Sequence, residues 1–549
     1  MRKLSTIFIP TLIIVCLVCS QGLSQNTIGL TIQSEEATPG YTLFAPMQST
    51  QTYLIDNCGY KIMEWSSDVQ AGTAAYLMPD GNLVRAGRLP NDKILISGKG
   101  GLIEIKDWND ELVWSYTLSD SIFCMHHDLE VMPNGNILAI ASEYMSEEQV
   151  LLAGRPTAEG EVYNEIIIEI EPNYTTGEAT IVWQWSAWDH LVQEVDSTLA
   201  NFGDVASSAS RIDINYYNTA QIQRDWIHIN SVAYNSSLDQ IVITSRNFEE
   251  LWIIDHSTTT AEATTSEGGL YGKGGDILYR WGNPIAYKQG TTDDRKIQRP
   301  HDAQWVSATD TEGDRILIFN NEYQNGSASA VHIIEVPIDA DGTYTDDNAP
   351  YGPIDYAYTY TEEGMYSFFA SGAELLDNGH LLICDADSGR FIEVDEDDEV
   401  IWEYINPVTL SGTVDQGTDP ANVSNNAVFK IERYSETYEG LQDRDLTAIE
   451  PIEPLSEYDC MILSDIEDVP SSDIVQVYPN PVSNMLILSS VQNIESYTIY
   501  NIQGQIVRHQ ADVDANYAAV EVDQLEPGSY IVQLSLASQI VKQELIIIQ

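Results

Sequence analysis

Three histidines and one arginine offer the clearest chemistry in this sequence. His127, His228 and His301 open similar stretches of alternating residues, HDLEV, HINSV and HDAQW. Arg246 ends the segment that follows His228, and a strand out and a strand back would return it to the same sheet edge. Imidazole and guanidinium groups together suit a tetrahedral oxyanion such as a sulfate or phosphate ester. A neutral imidazole can also act as a nucleophile.

The repeats that contain these histidines predict an antiparallel β architecture. Segments with period-two alternation are separated by PDG, PNG and DNG turns, and many copies end in a tryptophan strand such as WQW or IWEY. Five four-stranded sheets can be counted between about Gly72 and Pro407, and a sixth combines 53–65 with 427–435. We therefore predict an all-β, six-bladed β-propeller closed by strands from both ends, with five or seven blades as alternatives. The histidines would then meet at one mouth of the central channel.

The charge of the chain restricts its partners. It has 84 acidic and 25 basic residues among 549, a net charge of −59. Such a surface repels nucleic acid and anionic membranes, so we expect no nucleic-acid partner. An anionic substrate must therefore be held by a local basic pocket.

The ends of the chain predict export and a second domain. Residues 1–24 read as a secretory signal peptide, with lipoprotein processing at Cys19 as an alternative. Residues 25–439 form the predicted propeller, 440–473 an acidic linker and 474–549 a small β-sandwich. Four cysteines remain after processing, and their three possible pairings stay open: Cys58, Cys124, Cys384 and Cys460.

The C-terminal motifs VYPNPVSNMLIL, IYNIQGQIV and LEPGSYIVQL resemble the sorting domain of proteins exported by the type IX secretion system. The resemblance implies recognition by the outer-membrane type IX machinery and a secreted or cell-surface location. An ordinary accessory β-domain is the alternative.

The motifs HHDLEVMPNGNIL, DWIHINSVAYNSSLDQIVITSR and RPHDAQWV resemble the bacterial arylsulfate sulfotransferase family, from about Gly40 to Tyr438. The resemblance implies a six-bladed propeller and transfer of a sulfuryl group from an aryl sulfate donor to a phenolic acceptor. It implies a ping-pong route without phosphoadenosine phosphosulfate or another cofactor, and the sequence has no GxxxxGK[ST] loop. His301 matches the nucleophile, which would form a sulfohistidine, whereas His127, His228 and Arg246 would hold the sulfuryl oxygens. The oligomeric state stays open, because the dimer-associated N-terminal β-domain of the family is not apparent before the repeats.

Other interpretations of the same residues remain. Three histidines can hold zinc, although the neighbouring arginine disfavours a metal cation. A non-catalytic propeller that binds sulfated or acidic glycans would use the same cationic nest, and water could replace the phenolic acceptor. His126 is expected on the opposite face of its strand, as a packing or supporting residue. Candidate aromatic walls for a phenyl ring are Phe123, Trp226, Tyr323, Phe368 and Phe369.

Overall fold

The computed structural model describes residues 26–156, 160–216, 224–306, 314–344, 350–454, 475–478, 480–501, 505–511, 513, 515–525, 527–536 and 539–548. The predicted signal peptide (1–24), Cys460 and residues 455–473 of the predicted linker lie outside these residues. The chain divides into two compact units, Met1–Leu463 and Ser464–Gln549.

Strands dominate the first unit, because its sequence alternates apolar and polar residues between tight turns. In chain order they are β1 (Gly29–Gln33), β2 (Gly40–Pro46), β3 (Gln51–Asp56), β4 (Lys61–Ser66), β5 (Ala71–Leu77), β6 (Leu83–Arg88), β7 (Gly101–Lys106), β8 (Leu112–Thr117), β9 (Phe123–Val131), β10 (Ile137–Met145), β11 (Val162–Pro172), β12 (Ala179–Ser186), β13 (Leu191–Val192), β14 (Ile212–Asp213) and β15 (Ile229–Asn235). They continue with β16 (Gln240–Ser245), β17 (Glu250–Asp255), β18 (Tyr279–Trp281), β19 (His301–Trp305), β20 (Arg315–Glu322), β21 (Ala328–Glu335), β22 (Tyr358–Tyr360), β23 (Gly372–Leu375), β24 (Leu381–Asp385), β25 (Arg390–Val394), β26 (Val400–Ile405), β27 (Val408–Thr409), β28 (Gly412–Thr413) and β29 (Val428–Ser435).

Helices are short in the described part of the chain. They are α1 (Glu147–Leu152), α2 (Thr260–Ala263) and α3 (Tyr323–Gly326). Single 3₁₀ turns occur at Ala187–His190, Val205–Ser207, Pro284–Tyr287, Thr292–Asp294, Pro420–Asn422 and Glu439–Leu441.

The larger sheets of the first unit are antiparallel and follow one another along the chain. Their strand orders are β29-β2-β3-β4, β5-β6-β7-β8, β9-β10-β11-β12, β15-β16-β17-β18, β19-β20-β21-β22 and β23-β24-β25-β26, the last extended by β1 beside β26. The leading strands of these sheets, β29, β5, β9, β15, β19 and β23, contact one another in a closed ring. Pairing of β29 with β2 joins both ends of the repeat region in one sheet, as predicted, and shields strand edges. The architecture is propeller-like.

The tryptophan signature of the fourth strands has a physical role between sheets. Five tryptophans of the fourth strands each donate Nε1–H to a backbone carbonyl in the segment that connects the third and fourth strands of the next sheet, at 2.7 to 3.0 Å. A buried indole thus fills the gap between sheets and satisfies its donor. The pairs are Trp65 with Asp107, Trp114 with Glu178, Trp185 with Gly275, Trp281 with Pro353 and Trp402 with Asn57. Trp402 belongs to the last sheet and Asn57 to the first, so this contact also closes the ring.

The second unit is organised around one long strand. Its strands are β30 (Val475–Tyr478), β31 (Met485–Asn501), β32 (Ile506–Gln510), β33 (Ala515–Glu521), β34 (Gly528–Leu536) and β35 (Gln539–Ile548). The first half of β31 pairs with β30 and β33, and its second half pairs with β32 and β34. Apolar residues such as Leu486, Ile499 and Val532 form its core. The β-sandwich remains a prediction. No helix in the described residues is long and apolar enough to span a membrane.

The structure adds detail to two sequence predictions, the state of the cysteines and the extent of the linker. Cys58 is disulfide-bonded, whereas Cys124 and Cys384 are buried free thiols. Residues 440–454, the start of the predicted linker, belong to the first unit and are hydrogen-bonded to its strands. There the Lys61 N–H donates to the Glu450 carbonyl at 2.9 Å, and the Ile449 N–H donates to the Lys61 carbonyl at 2.9 Å.

Candidate active site

A cavity of about 420 Å³ opens in the first unit, beside the ring of leading strands. All four residues predicted from the sequence line it: His127, His228, His301 and Arg246. The rest of the lining is Met47, Thr73, Ser97, Gly98, Asp225, Asn247, Arg299, Phe368, Phe369, Ala370 and Phe429. The structure therefore brings the predicted residues together at one site.

Irregular strand pairing aims the histidines at the cavity. His301 opens β19 as predicted, but His228 lies just before β15 and His127 lies inside β9. Pairing with the second strand is interrupted at this level in all three sheets. His127 and His228 take φ values of +51° and +57°, which non-glycine residues rarely adopt. A bulge, rather than strict alternation, sets where these side chains point.

Arg246 lies beside His228, as the strand-out, strand-back prediction requires. Its backbone N–H donates to the His228 carbonyl at 3.0 Å. The guanidinium group is half-buried, and in the described residues it makes no ion pair with a carboxylate. Burial, and then the positive charge of Arg299, lower the pKa of Arg246. An anion that entered the cavity would stabilise the Arg246 charge, which burial and Arg299 disfavour.

His301 is held in one tautomer. Its Nδ1 lies 2.7 Å from Oδ1 of Asn321 and 3.2 Å from the Arg299 carbonyl, and both of these oxygens accept. The Asn321 amide is fixed because its Nδ2 donates to the carbonyls of Ser367 and Ala370. Nδ1 therefore carries the hydrogen and Nε2 carries the lone pair, which accepts the Ala370 N–H at 3.2 Å. Burial, followed by the charge of Arg246, lowers the pKa of His301 to about 3, so the ring is neutral.

His228 is oriented by a buried carboxylate. Nδ1 of His228 lies 2.7 Å from Oδ2 of Asp225. Burial raises the pKa of Asp225, but the charge and hydrogen bond of His228, together with the charges of His126 and Arg246, outweigh burial, and the net shift is downward. Asp225 is thus ionised and accepts from Nδ1, which leaves Nε2 of His228 without a hydrogen bond to any described residue.

His127 stands against His228 and is connected to a second buried carboxyl group. The two ring centroids are 4.7 Å apart. Nδ1 of His127 lies 2.8 Å from Nδ1 of His126, and Nε2 of His126 lies 2.8 Å from Oε2 of Glu165. His126 supports His127, as one of the sequence expectations stated. The alternation that predicted opposite faces for the two rings is broken by the bulge.

Gly98 makes room for His127. A Cβ atom at Gly98 would lie 2.2 Å from Nε2 of His127, and Gly98 itself has φ +60°. Only glycine fits here without displacing the imidazole.

A second cation and an aromatic wall complete the cavity. The guanidinium carbons of Arg299 and Arg246 lie 4.8 and 5.9 Å from the ring centroid of Phe368, whose residue is 47% exposed. Arg299, which sequence reasoning missed, also pairs with Glu322 at 3.1 Å. The sequence could have pointed to Arg299, because this basic residue lies two residues before His301.

Of the predicted aromatic candidates, Phe368 and Phe369 line the cavity, whereas Trp226 is buried against Phe248. Phe123 and Tyr323 are not part of the lining, and Phe429 was missed. The cavity thus offers an aromatic and apolar side next to a cationic one.

These features define a propeller-like β protein with a cavity lined by imidazole and guanidinium groups. The sequence profile of the arylsulfotransferase (ASST) family matches residues 48–406, and the chain belongs to this family. The profile of the secretion system C-terminal sorting domain matches residues 476–549. This is the type IX sorting domain, and it indicates export to the cell surface or secretion. Both resemblances seen in the sequence are confirmed.

Solved structures resemble the chain only distantly. A protein of unknown function from Bacteroides caccae has 10% identity and a TM-score of 0.39, covering 73% of this chain and 100% of its own. A putative 6-phosphogluconolactonase from Bacteroides fragilis has 11% identity and a TM-score of 0.33, covering 73% and 99%. Streptogramin B lyase has 10% identity and a TM-score of 0.34, covering 75% and 95%. No curated relative matches the sequence.

Proposed function

We propose that this chain is an aryl-sulfate sulfotransferase that moves a sulfuryl group from an aryl sulfate ester to a phenolic acceptor. The route is ping-pong, through a sulfohistidine at His301. The observation that carries the proposal is the hydrogen bonding of His301: Asn321 holds Nδ1–H, and the Nε2 lone pair lies in a cavity bordered by Arg246 and Arg299. A neutral imidazole facing an anion-binding site is what attack on a sulfate ester requires. Membership of the arylsulfotransferase family supports the reaction class.

In the first half-reaction, Nε2 of His301 gives up the hydrogen bond that it accepts from the Ala370 N–H at 3.2 Å, and its lone pair attacks the sulfur atom of the donor. The N–S bond forms as the bond from sulfur to the aryl oxygen breaks, and the phenolate leaves. His127, His228 and Arg246 stabilise the charge on the non-bridging sulfuryl oxygens and on the departing phenolate, each typically contributing about 10²–10³ in rate. Asn321 keeps its hydrogen bond to Nδ1–H and so stabilises the imidazolium that results.

In the second half-reaction, a phenolic acceptor takes the place of the departed phenol and attacks the same sulfur from the same side. The new O–S bond forms as the N–S bond breaks, His301 returns to its neutral form, and the phenolic proton is released. Phe368, Phe369 and Phe429 provide apolar contacts for either ring. Because nucleophile and cations come from the chain, the route uses neither a nucleotide cofactor nor a metal.

We further propose that the larger sheets of the first unit are six blades of one β-propeller. The closed ring of leading strands and the tryptophan contacts that run from sheet to sheet support this count. The ring explains why histidines from three successive blades reach one mouth.

Transfer can be tested directly. Purified protein is incubated with 4-nitrophenyl sulfate, with and without phenol, and nitrophenolate release is followed for the wild type, His301→Asn and His380→Asn. His380 pairs with Glu393 away from the cavity and serves as the histidine control. We expect phenol-stimulated release from the wild type and His380→Asn, none from His301→Asn, and no effect of a chelator. Without acceptor, mass spectrometry should find one sulfuryl group on the peptide that contains His301.

Two outcomes would contradict the proposal. Release that a chelator abolishes would indicate a metal site. Tight binding of sulfated glycans with no transfer to any phenol would indicate a binding protein.

A further inference from the structure

A buried hydrogen-bonded chain leads away from the cavity, and the proposed mechanism does not use it. It runs from His127 through His126 to Glu165, with both polar contacts at 2.8 Å. The three residues are 5%, 2% and 0% exposed. His126 and His127 belong to β9, Glu165 belongs to β11, and Ser142 of the intervening β10 donates to the other Glu165 oxygen at 3.4 Å. Nε2 of His127 is left for the cavity.

The two imidazoles meet through their Nδ1 atoms, so one of them must donate and the other accept. If Glu165 is protonated, it donates to Nε2 of His126, Nδ1–H of His126 donates to His127, and His127 presents Nε2–H to the cavity. If Glu165 is ionised, every hydrogen bond reverses, and His127 presents a lone pair. One proton on Glu165 therefore decides whether His127 is a donor or an acceptor.

We propose that Glu165 stores the proton that the two halves of sulfuryl transfer exchange, and that His126 relays it to His127. This inference rests on the proposed function. In the first half-reaction, His127 gives its Nε2 proton to the departing phenolate oxygen, His126 passes its Nδ1 proton to His127, and Glu165 passes its proton to His126. In the second half-reaction, the acceptor phenol gives its proton to Nε2 of His127, and the chain returns to its first state. His127 is the catalytic residue, and His126 and Glu165 are positioning residues.

The charges balance along this route. The donor brings one negative charge, and the departing phenol leaves neutral. The sulfohistidine of His301 is a zwitterion with no net charge, so the negative charge of the donor resides on Glu165 until the second half-reaction. The cavity and its surroundings keep the same total charge throughout, which avoids burying an additional ion.

The surroundings of Glu165 suit a carboxyl group that holds a proton at rest. The groups that face it are His126, Ser142, Asp225 and His228. Burial, and then the negative charge of Asp225, raise the pKa of Glu165 well above its ordinary range. Burial lowers the pKa of His126 to about 4, so its ring is neutral.

Glu169 on the same strand provides a contrast and a control. Its Oε2 lies 3.2 Å from Nε2 of His256, outside the cavity. Hydrogen bonds from His256, Asn136 and Asn134 outweigh burial there, and the pKa of Glu169 is lowered. Glu169→Gln therefore changes a similar carboxyl–imidazole pair without touching the relay.

The test compares Glu165→Gln with Glu169→Gln and the wild type on donors whose phenols differ in acidity. In Glu165→Gln, kcat/KM for 4-nitrophenyl sulfate should stay close to wild type, since nitrophenolate leaves without a proton. For 4-methylphenyl sulfate it should fall by ~10²-fold, the usual contribution of general acid catalysis. Glu169→Gln should follow the wild type with both donors. An equal loss on both donors, or no loss on either, would overturn the relay.

Infrared difference spectroscopy tests the same idea without steady-state rates. The wild type should show a protonated carboxyl C=O band that Glu165→Gln lacks and Glu169→Gln retains. The band should disappear when 4-methylphenyl sulfate, whose phenol must take up a proton to leave, is added without acceptor. Absence of the band, or its persistence in a sulfated enzyme, would overturn the proton store while leaving the proposed function intact. A wild type that transfers no sulfuryl group and forms no sulfohistidine would overturn both.

Discussion

Replacing Gly98 by alanine separates backbone strain from displacement of the His127 imidazole, to which we assign a catalytic role. The new Cβ would lie 2.2 Å from Nε2 of His127, far inside van der Waals contact, so the ring must move. Gly98 also has φ +60°, where an alanine costs about 1–2 kcal/mol. Gly135 provides the matched control, because it has φ +84° and open space around its position. Gly135→Ala carries the backbone cost alone.

The two variants should therefore differ in activity more than in stability. Both should lose about 1–2 kcal/mol in the free energy of unfolding from the backbone, measured by denaturant titration, and Gly98→Ala should lose about 1–3 kcal/mol more because its Cβ displaces a buried imidazole. Gly98→Ala should also lose ~10²–10³-fold in kcat/KM for 4-nitrophenyl sulfate, which is the usual cost of one misplaced oxyanion donor and corresponds to about 3–4 kcal/mol. Gly135→Ala should keep wild-type kcat/KM. Full activity in Gly98→Ala would refute the reasoning, since it would mean that the position of His127 does not matter.

Two further predictions concern the aryl ring and pH. Phe368→Ala should raise KM for aryl sulfates by about 2–10-fold with little change in kcat, since one aromatic contact is worth about 0.5–1.5 kcal/mol; Phe368→Leu should recover part of the loss, and an unchanged KM would remove Phe368 from the aryl site. Because the folded pKa of His301 is about 3 and its unfolded value is about 6.5, unfolding takes up a proton below about pH 6.5. The stability that His301 contributes is therefore present above about pH 6.5 and declines as pH falls towards about 3. His301→Asn should show a weaker loss of unfolding free energy over this range, and an unchanged slope would contradict the lowered pKa.

Equivalent positions in the repeated sheets explain how much of the site could be predicted from the sequence. His127, His228 and His301 were found because they occupy the same place in three repeats, and Arg246 because a hairpin returns to its own edge. The same hairpin argument would have found Asn321, which lies one residue before the end of β20 and returns to His301 in the way that Arg246 returns to His228. Asp225 could also have been predicted as a partner of His228, since it lies only three residues before it in the sequence.

Equivalent positions in the repeats could not have predicted that Glu165 and Phe429 belong to the site. Glu165 reaches His126 across an intervening strand, with Ser142 paired to both Glu165 and Cys124. That contact requires knowing the two registers that relate three strands, and the bulge at His127. Phe429 reaches the cavity only because β29 returns from the end of the repeats to pair with β2. The sequence predicted this pairing but not which β29 side chain would face the cavity.

Backbone strain is concentrated where the chemistry is proposed. His127, His228, Arg299, Ala370 and Ser371 all have φ between +51° and +78°, although none is a glycine and such placements cost about 1–3 kcal/mol each. Hydrogen bonds hold several of them in place: the His127 N–H donates to the Gly98 carbonyl at 2.7 Å, and Asn321 donates to the Ala370 carbonyl at 3.0 Å. Without these bulges, alternation would turn neighbouring side chains towards opposite faces of each sheet. The ring of sheets therefore holds the strained backbone positions that turn the imidazoles into one cavity, and the geometry that we propose for anion binding is in place before a substrate arrives.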